Sequence, residues 1–265
     1  MTPERGLLPG GLRRALATTC FGRRIYYIPE VDSTNRLAAE LAGYGEAEGT
    51  LVITEFQNAG RGQQQRRWLS PPHRNLLFSL ILRPHVSSRE LLPITLAFAV
   101  TAAEVLSGFV GERLEVKWPN DVIAATGKLG GILAESSSKA GRASHVIVGI
   151  GLNINLRPGE LPRDVEYPAA SCRSLTGRDH DRIKVLAALL GALEPAYQRF
   201  VADGFAPFVA PYGDRLSLRE REVELDTGGG SLRGTVTGVR DDGGLIIRTG
   251  AGVEQVVYEG RVRRI

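Results

Sequence analysis

Apolar residues fall in runs of strand length at positions 25–28, 51–56 and 76–82, and each run is followed by a polar segment. After the first run, Asp32, Ser33, Thr34 and Asn35 have short polar side chains suited to capping a helix that carries Leu37 and Leu41 on one face. Positions 90–106 are mostly apolar and predict a buried helix. Positions 114–118 alternate apolar with charged residues, Trp118-Pro119-Asn120-Asp121 turns the chain, and 122–124 begin a second strand, which together predict a hairpin. Strands over 132–136 and 145–155 follow closely enough to pair antiparallel. In the second of these, Val146, Val148, Ile150, Leu152 and Ile154 share one face. Gly149, Gly151, Asn153 and Asn155 take the other. That face is bare backbone, on which a flat ligand can lie or against which a helix can pack.

Between 181 and 202, Leu186, Leu189, Leu190, Leu193, Tyr197 and Phe200 recur at helical spacing, predicting a long amphipathic helix over the sheet. Beyond about residue 216 the pattern changes to short strands near 223–225, 232–239, 245–248 and 253–258, punctuated by glycine-rich turns. The expected division is therefore a main domain over 1–216 and a small barrel over 217–265. A barrel of that size has a limited core and should lean on its neighbour.

Composition adds limits. With 43% hydrophobic and 23% charged residues in 265, the chain is of ordinary globular type, and its net charge of +4 favours anionic ligands without demanding DNA or a membrane. Cys20 and Cys172 form no CxxC pair, so neither a disulfide framework nor a zinc site is suggested, and a reducing cytoplasm is expected. The arginine-rich first 24 residues lack the apolar core of a secretory signal. The longest uncharged stretches, 91–103 and 143–156, fall short of the ~20 residues that span a bilayer, so a soluble protein is expected.

Charge distribution says more than its sum. Between Glu55 and Glu90 no acidic residue occurs, whereas Arg61, Arg66, Arg67, Arg74, Arg83 and Arg89 all do. Gly60-Arg61-Gly62 lets backbone approach a ligand, and guanidinium groups bind phosphate or carboxylate in a bidentate fork, so this is either an anion cradle or a solvated basic loop. Trp68 stacks on a purine or packs in a core. Lys128-Leu129-Gly130-Gly131 sets a cation beside two glycines just before a strand. Asp121 orients a metal or an amine, or merely turns the chain. No P-loop, HExxH, GxSxG or GxGxxG pattern is complete, and the four histidines have no ligand-like spacing.

Ser33-Thr34-Asn35, then Gln57 with Gly60-Arg61-Gly62 and Arg66-Arg67-Trp68, then Lys117-Trp118-Pro119-Asn120-Asp121, Lys128-Leu129-Gly130-Gly131 and Gly149-Ile150-Gly151-Leu152-Asn153 occur in that order. The set resembles the bacterial biotin protein ligases over about residues 25–265. The resemblance implies an α+β fold: a mixed sheet flanked by helices, like that of class II aminoacyl-tRNA synthetases, followed by an SH3-like β-barrel. It also implies a two-step reaction. The biotin carboxylate attacks the α-phosphate of ATP to give biotinyl-5′-adenylate, and a lysine of a biotin carboxyl carrier domain then takes the biotinyl group. By motif position, Ser33, Thr34, Asn35, Gln57, Gly60, Arg61, Lys128 and Gly131 resemble the biotin contacts, with Arg61 and Lys128 toward its carboxylate. Arg61, Arg66, Trp68 and Asn153 resemble the ATP side, and Lys128, Arg66 and Asp121 are the expected catalytic set. Mg²⁺ is implied by the ATP chemistry, with no ligands assigned.

Two departures qualify the resemblance. The family loop often reads GRGRxGRxW, whereas Gln63 and Gln65 stand here in place of an arginine and a glycine, so weaker retention of the adenylate is expected. Only about 24 residues precede the first core strand, too few for the winged helix-turn-helix of the repressor members. The expected form therefore lacks that domain, and neither DNA nor a membrane is an expected partner, while a homodimer is left open. The alternatives are a lipoate ligase or octanoyltransferase of the related fold, and a non-catalytic nucleic-acid-binding protein using the arginine segment.

Overall fold

The computed structural model describes residues 7, 9–62, 67–84, 91–139, 142–161, 168–226 and 230–264. Seven strands form one mixed sheet: β1 (Ile25–Val31), β2 (Leu51–Gln57), β3 (Leu76–Leu82), β4 (Glu115–Lys117), β5 (Asp121–Ala124), β6 (Gly127–Lys139) and β7 (Arg142–Leu152), in the order β1-β2-β3-β7-β6-β5-β4. Among the described strands only β1 and β2 pair in parallel, because a helix, α2 (Thr34–Gly43), connects them. Every residue of β3 is buried, as its central position in the sheet requires.

One face of the sheet packs on α3 (Leu91–Val110) and α5 (Arg182–Asp203) and holds the main core, including Phe78, Phe98, Val148, Ile150 and Leu189. Burying each such side chain contributes about 1.5–3 kcal/mol. The other face takes α2, whose Ala38 and Ala42 meet Val52, Ile81 and Ile147, with Leu37 and Leu41 packed alongside. The chain segment Leu92–Val110 is in fact long and apolar enough to cross a membrane, since the apolar run continues past Glu104. In the fold it is a core helix against the sheet and α5.

The second sheet is antiparallel, built from β8 (Glu222–Asp226), β9 (Ser231–Val239), β10 (Leu245–Arg248), β11 (Glu254–Val257) and β12 (Arg261–Arg264), in the order β11-β10-β9-β8-β12. It meets the first through the indole of Trp118, which donates to the Gly243 carbonyl at 3.1 Å.

The hairpins β4–β5 and β6–β7 pair as the alternation predicts. Among the described residues, α1 (Pro9–Ala15), α4 (Cys172–Thr176), α6 (Ala206–Arg215), β12 and a single 3-10 turn at Pro158–Glu160 have no forecast. Helix α6 carries Pro207, Pro211 and Gly213, so local propensity argues against it, and burial of Phe208 and Tyr212 overrides that. The Lys128-Leu129-Gly130-Gly131 segment lies within β6, not before it. Glycine-rich sequence hides a strand whose register shifts between Val122 and Ile123 of its partner.

Candidate active site

The predicted bare patch of β7 is not bare. Side chains on the α2 face at Gly149 and Gly151 would collide with other residues of this chain: a Cβ at Gly149 would lie 2.0 Å from Asn35 Oδ1, and one at Gly151 2.8 Å from the Trp68 indole. The missing side chains therefore admit a residue of α2 at one position and an aromatic ring at the next, about 7 Å along the strand. Two side-chain clusters follow from these two glycines.

The first is built around α2. Ser33 holds the N-cap position in extended conformation but makes no side-chain cap bond, contrary to the expected capping role. Instead the polar side chains at the start of the helix turn toward the sheet. Gln57 Oε1 accepts from the Thr34 backbone N–H at 2.8 Å and lies 3.1 Å from Thr34 Oγ1. Ser79, wholly buried on β3, lies 2.8 Å from Thr34 Oγ1 and 2.7 Å from Asn35 Oδ1. Asn35 Nδ2 donates to Glu135 Oε2 at 2.5 Å. Ser33, Thr34 and Asn35 are all buried.

The second cluster surrounds a cation. Lys128 Nζ sits 2.6 Å from Asp121 Oδ1, with both side chains only partly exposed, and 5.6 Å from the centre of a Trp68 ring. Gly131, opposite both Asp121 and Gly151 in the ladder, leaves the space these groups use: a Cβ there would lie 3.3 Å from Asp121 Oδ1 and from Lys128 Nζ. The Lys128 backbone is clamped by its N–H to Pro168 O and by Ala170 N–H to its own carbonyl. The main chain that carries the ammonium is thus anchored, and the Asp121 contact positions its tip.

Around Trp68 the loop closes on itself. Trp68 N–H donates to Gly60 O at 2.9 Å, and Arg61 and Arg67 form an isolated antiparallel bridge. A Cβ at Gly60 would meet the Trp68 carbonyl at 2.7 Å, which accounts for glycine there. Arg61 is exposed. A pocket of about 370 Å³ beside the loop is lined by Gln57, Asn58, Arg67, Trp68 and Glu160 among others. Arg66, Gln63 and Gln65 lie outside the described residues.

Asn153, expected beside the adenine, is turned into the protein. Its Nδ2 donates to Ala170 O at 3.1 Å and Lys128 O at 3.4 Å, and its Oδ1 accepts from Asn75. It braces the Lys128 segment. Asp121 is paired with an amine of its own chain. No group of three or more His, Cys, Asp or Glu among the described residues could hold a metal ion.

Sequence reasoning missed Ser79 and Glu135. The signals were present: Ser79 is the one polar residue of the apolar strand Leu76–Leu82, and Glu135 ends an otherwise uncharged run from Leu129. It also missed the buried Arg182–Glu55 pair, 2.6 Å apart, which ties α5 to β2 near the site.

Residues 27–153 match the Biotin/lipoate A/B protein ligase family, and residues 220–263 match the Biotin protein ligase C terminal domain. The chain is 31% identical to the bifunctional ligase/repressor BirA of Bacillus subtilis over 245 residues, covering 92% of this chain and 75% of that protein. It is 33% identical over 242 residues to the biotin–[acetyl-CoA-carboxylase] ligase of Paracoccus denitrificans, covering 89% and 98%.

The chain belongs to the biotin protein ligase family.

The likeness extends to three dimensions: the biotin protein ligase from Aquifex aeolicus in complex with biotin and ATP superposes with a TM-score of 0.79 at 30% identity, over 92% of this chain and 100% of that one. The family fold is the mixed sheet with flanking helices described above, and the five antiparallel strands of the C-terminal match fit an SH3-like fold. The five ordered motifs thus identify the family correctly.

Proposed function

We propose that this member of the family activates biotin with ATP to biotinyl-5′-adenylate and transfers biotin to a lysine of a biotin carboxyl carrier domain. One observation carries the reading: on a single sheet face a hydrogen-bonding cluster at Thr34 and Gln57 and the ammonium of Lys128, held by Asp121, stand side by side, separated by the Gly149–Gly151 step. A cyclic urea suits the first and a pair of acidic groups the second. The match to the biotin protein ligase C-terminal domain favours biotin over lipoate, since the first family description covers both.

In the first step a carboxylate oxygen of biotin forms a bond to the α-phosphorus of ATP as the bond to the pyrophosphate oxygen breaks. Two anions must meet, and Lys128 is placed to lower that repulsion, which at about 4 Å is worth several kcal/mol at the edge of a protein. Arg61 joins it from the loop, with Arg66 assigned to the phosphates. Ser33, Thr34, Asn35 and Gln57 hold the ring, and Gly60 and Gly131 allow close approach. Trp68 supplies a stacking surface. In the second step the neutral amine of the carrier lysine attacks the acyl carbon and AMP departs. Positioning and charge suffice, and no enzyme nucleophile is involved.

Magnesium borne on nucleotide phosphates needs at most one or two protein carboxylates, a requirement Asp121 can meet. It would supply further charge neutralisation at the phosphates. We further assign residues 1–216 to the catalytic unit and 217–265 to the barrel unit, and place the enzyme in a reducing cytoplasm, where the free thiols Cys20 and Cys172 are at home. Homodimerisation is testable by light scattering. The deciding experiment incubates the protein with biotin, ATP, Mg²⁺ and a carrier domain and weighs the carrier. A mass gain of one biotinyl group that requires both biotin and ATP is expected; no gain, or gain with lipoate alone, overturns the reading.

A further inference from the structure

We infer that Ser79 and Glu135 are specificity-determining positioning residues, which fix the Thr34 hydroxyl as an acceptor toward the ligand and so select a ring that presents an N–H. The inference rests on the biotin reading above and extends it to two residues that need not touch the ligand.

Hydrogen bonds link Glu135, Asn35, Ser79, Thr34 and Gln57 in one chain. An ionised carboxylate can only accept, so the group of Asn35 that lies 2.5 Å from Glu135 Oε2 is its NH₂. The same group faces the Leu133 carbonyl at 3.4 Å, which also only accepts. Asn35 Oδ1 must then face Ser79, and being a carbonyl oxygen it accepts at 2.7 Å. A hydroxyl has one proton. Ser79 has committed its own to Asn35, so at the 2.8 Å contact with Thr34 it can only accept. The remaining partner of Thr34 Oγ1, Gln57 Oε1 at 3.1 Å, is likewise an acceptor. Thr34 has one proton and two inward acceptors to choose from, so whichever takes it the proton is held inside the protein, and Ser79 gives none back. The outward side of Thr34 Oγ1 is left with lone pairs.

The packing makes this direction rigid. Ser79 is wholly buried, Thr34 and Asn35 nearly so, and Gly149 leaves room for Asn35 in this one place. The exposed member is Glu135, so the only charge in the chain sits at its far end and polarises every bond in one sense. A ring N–H meeting Thr34 finds an acceptor, whereas a ring oxygen at the same point meets lone pair against lone pair. Sites of this type reject the analogue that lacks the hydrogen far better than they reject a change in bulk.

The test compares binding of biotin with that of its two cyclic carbamate analogues, in which one or the other ring N–H is replaced by oxygen at almost unchanged shape. Affinities are measured by calorimetry on the full chain. The wild-type protein is expected to prefer biotin over one analogue by at least about tenfold. Ser79→Ala removes the nearer of the two inward acceptors, leaving only Gln57 Oε1 at 3.1 Å to hold the Thr34 proton, and Glu135→Ala removes the anchor on Asn35. In each the preference should fall to within about threefold. Glu135→Gln still offers an amide oxygen to Asn35 and should restore most of it, a rescue that a merely structural role would not predict. If Ser79→Ala fails to fold, the Glu135→Ala and Glu135→Gln pair decides. Variants that fold, bind biotin and keep the wild-type preference overturn the inference, as does a wild-type protein that binds biotin and both analogues equally. Wild-type protein that binds no biotin at all would instead remove the reading on which the inference stands.

Discussion

Asp121 holds the ammonium of Lys128 at 2.6 Å across the β5–β6 ladder, with the glycine at 131 leaving room for both. The pair is partly solvent-accessible, and such pairs contribute only about 0–1 kcal/mol to stability. Its value lies in where it puts the charge. Lys128→Ala is therefore expected to lower biotin-dependent pyrophosphate release by roughly 10²–10³-fold, while the melting midpoint moves by only a few degrees. Asp121→Asn keeps the cation but loosens its tether, and should cost less, about tenfold. Stopped-flow release assays beside thermal melts separate the two effects, and a Lys128→Ala enzyme of wild-type rate would remove Lys128 from the reaction.

The two glycines of β7 give a second, divided expectation. Neither has positive φ, so alanine is acceptable to the backbone and acts through its methyl group alone. At Gly149 that methyl would fall 2.0 Å from Asn35 Oδ1 and must expel the side chain, breaking its bonds to Ser79 and Glu135. Gly149→Ala should weaken biotin binding more than tenfold and destabilise the protein by about 1–3 kcal/mol. At Gly151 the methyl would fall 2.8 Å from the Trp68 indole, which lies on a loop and can shift. Gly151→Ala should raise the KM for ATP, leave biotin affinity within a few-fold, and change the tryptophan emission. Calorimetry and steady-state kinetics on both variants read the split; equal effects on both ligands from both variants would contradict it.

How much of this was legible beforehand depends on the kind of signal. Alternation along 145–155 separates the two faces of β7 correctly: Val146, Val148, Ile150 and Leu152 join the α3–α5 core, and the glycines face α2. What alternation could not convey is what fills the space, because Asn35 and Trp68 are more than 80 residues away in sequence. Asp32 to Asn35 read as a helix cap on local grounds, whereas a neighbouring strand with a buried serine draws Thr34 and Asn35 into the sheet. Asn153 follows the same pattern. Its amide is claimed by Ala170, a residue brought to it only by the later fold. Residue type and order showed the family, while the direction of each side chain was set by tertiary contacts that no local rule contains.

The loop departures noted in the sequence lead to a third expectation. Gln63 stands where related loops often carry arginine, and glutamine brings no charge to an adenylate that bears one. Gln63→Arg should slow dissociation of biotinyl-5′-adenylate by about three- to tenfold, with the gain shrinking as salt is raised. Dissociation rates at two ionic strengths test it, and an unchanged rate at low salt would dismiss the idea.

A last expectation concerns stability. Glu194 of α5 reaches back to the N-terminal segment, where its carboxylate accepts from the backbone N–H groups of Thr19, Cys20 and Phe21 and from the Thr19 hydroxyl, at 2.6–2.9 Å. Burial opposes the charge, but the donors from Phe21, Thr19 and Cys20 outweigh it and hold the carboxyl pKa below its usual value. A group whose folded pKa is depressed stabilises above its unfolded pKa and loses that contribution as pH falls through the folded one. Glu194→Gln replaces one acceptor oxygen by a donor facing N–H groups, and should cost about 2–4 kcal/mol at neutral pH. The gap should persist down to about pH 5 and narrow below about pH 4, the ordinary range of an unfolded glutamate. Urea unfolding of both proteins across that range measures it. A gap that stays constant into strong acid would show that the charge of Glu194 is not what fastens residues 19–21 to α5.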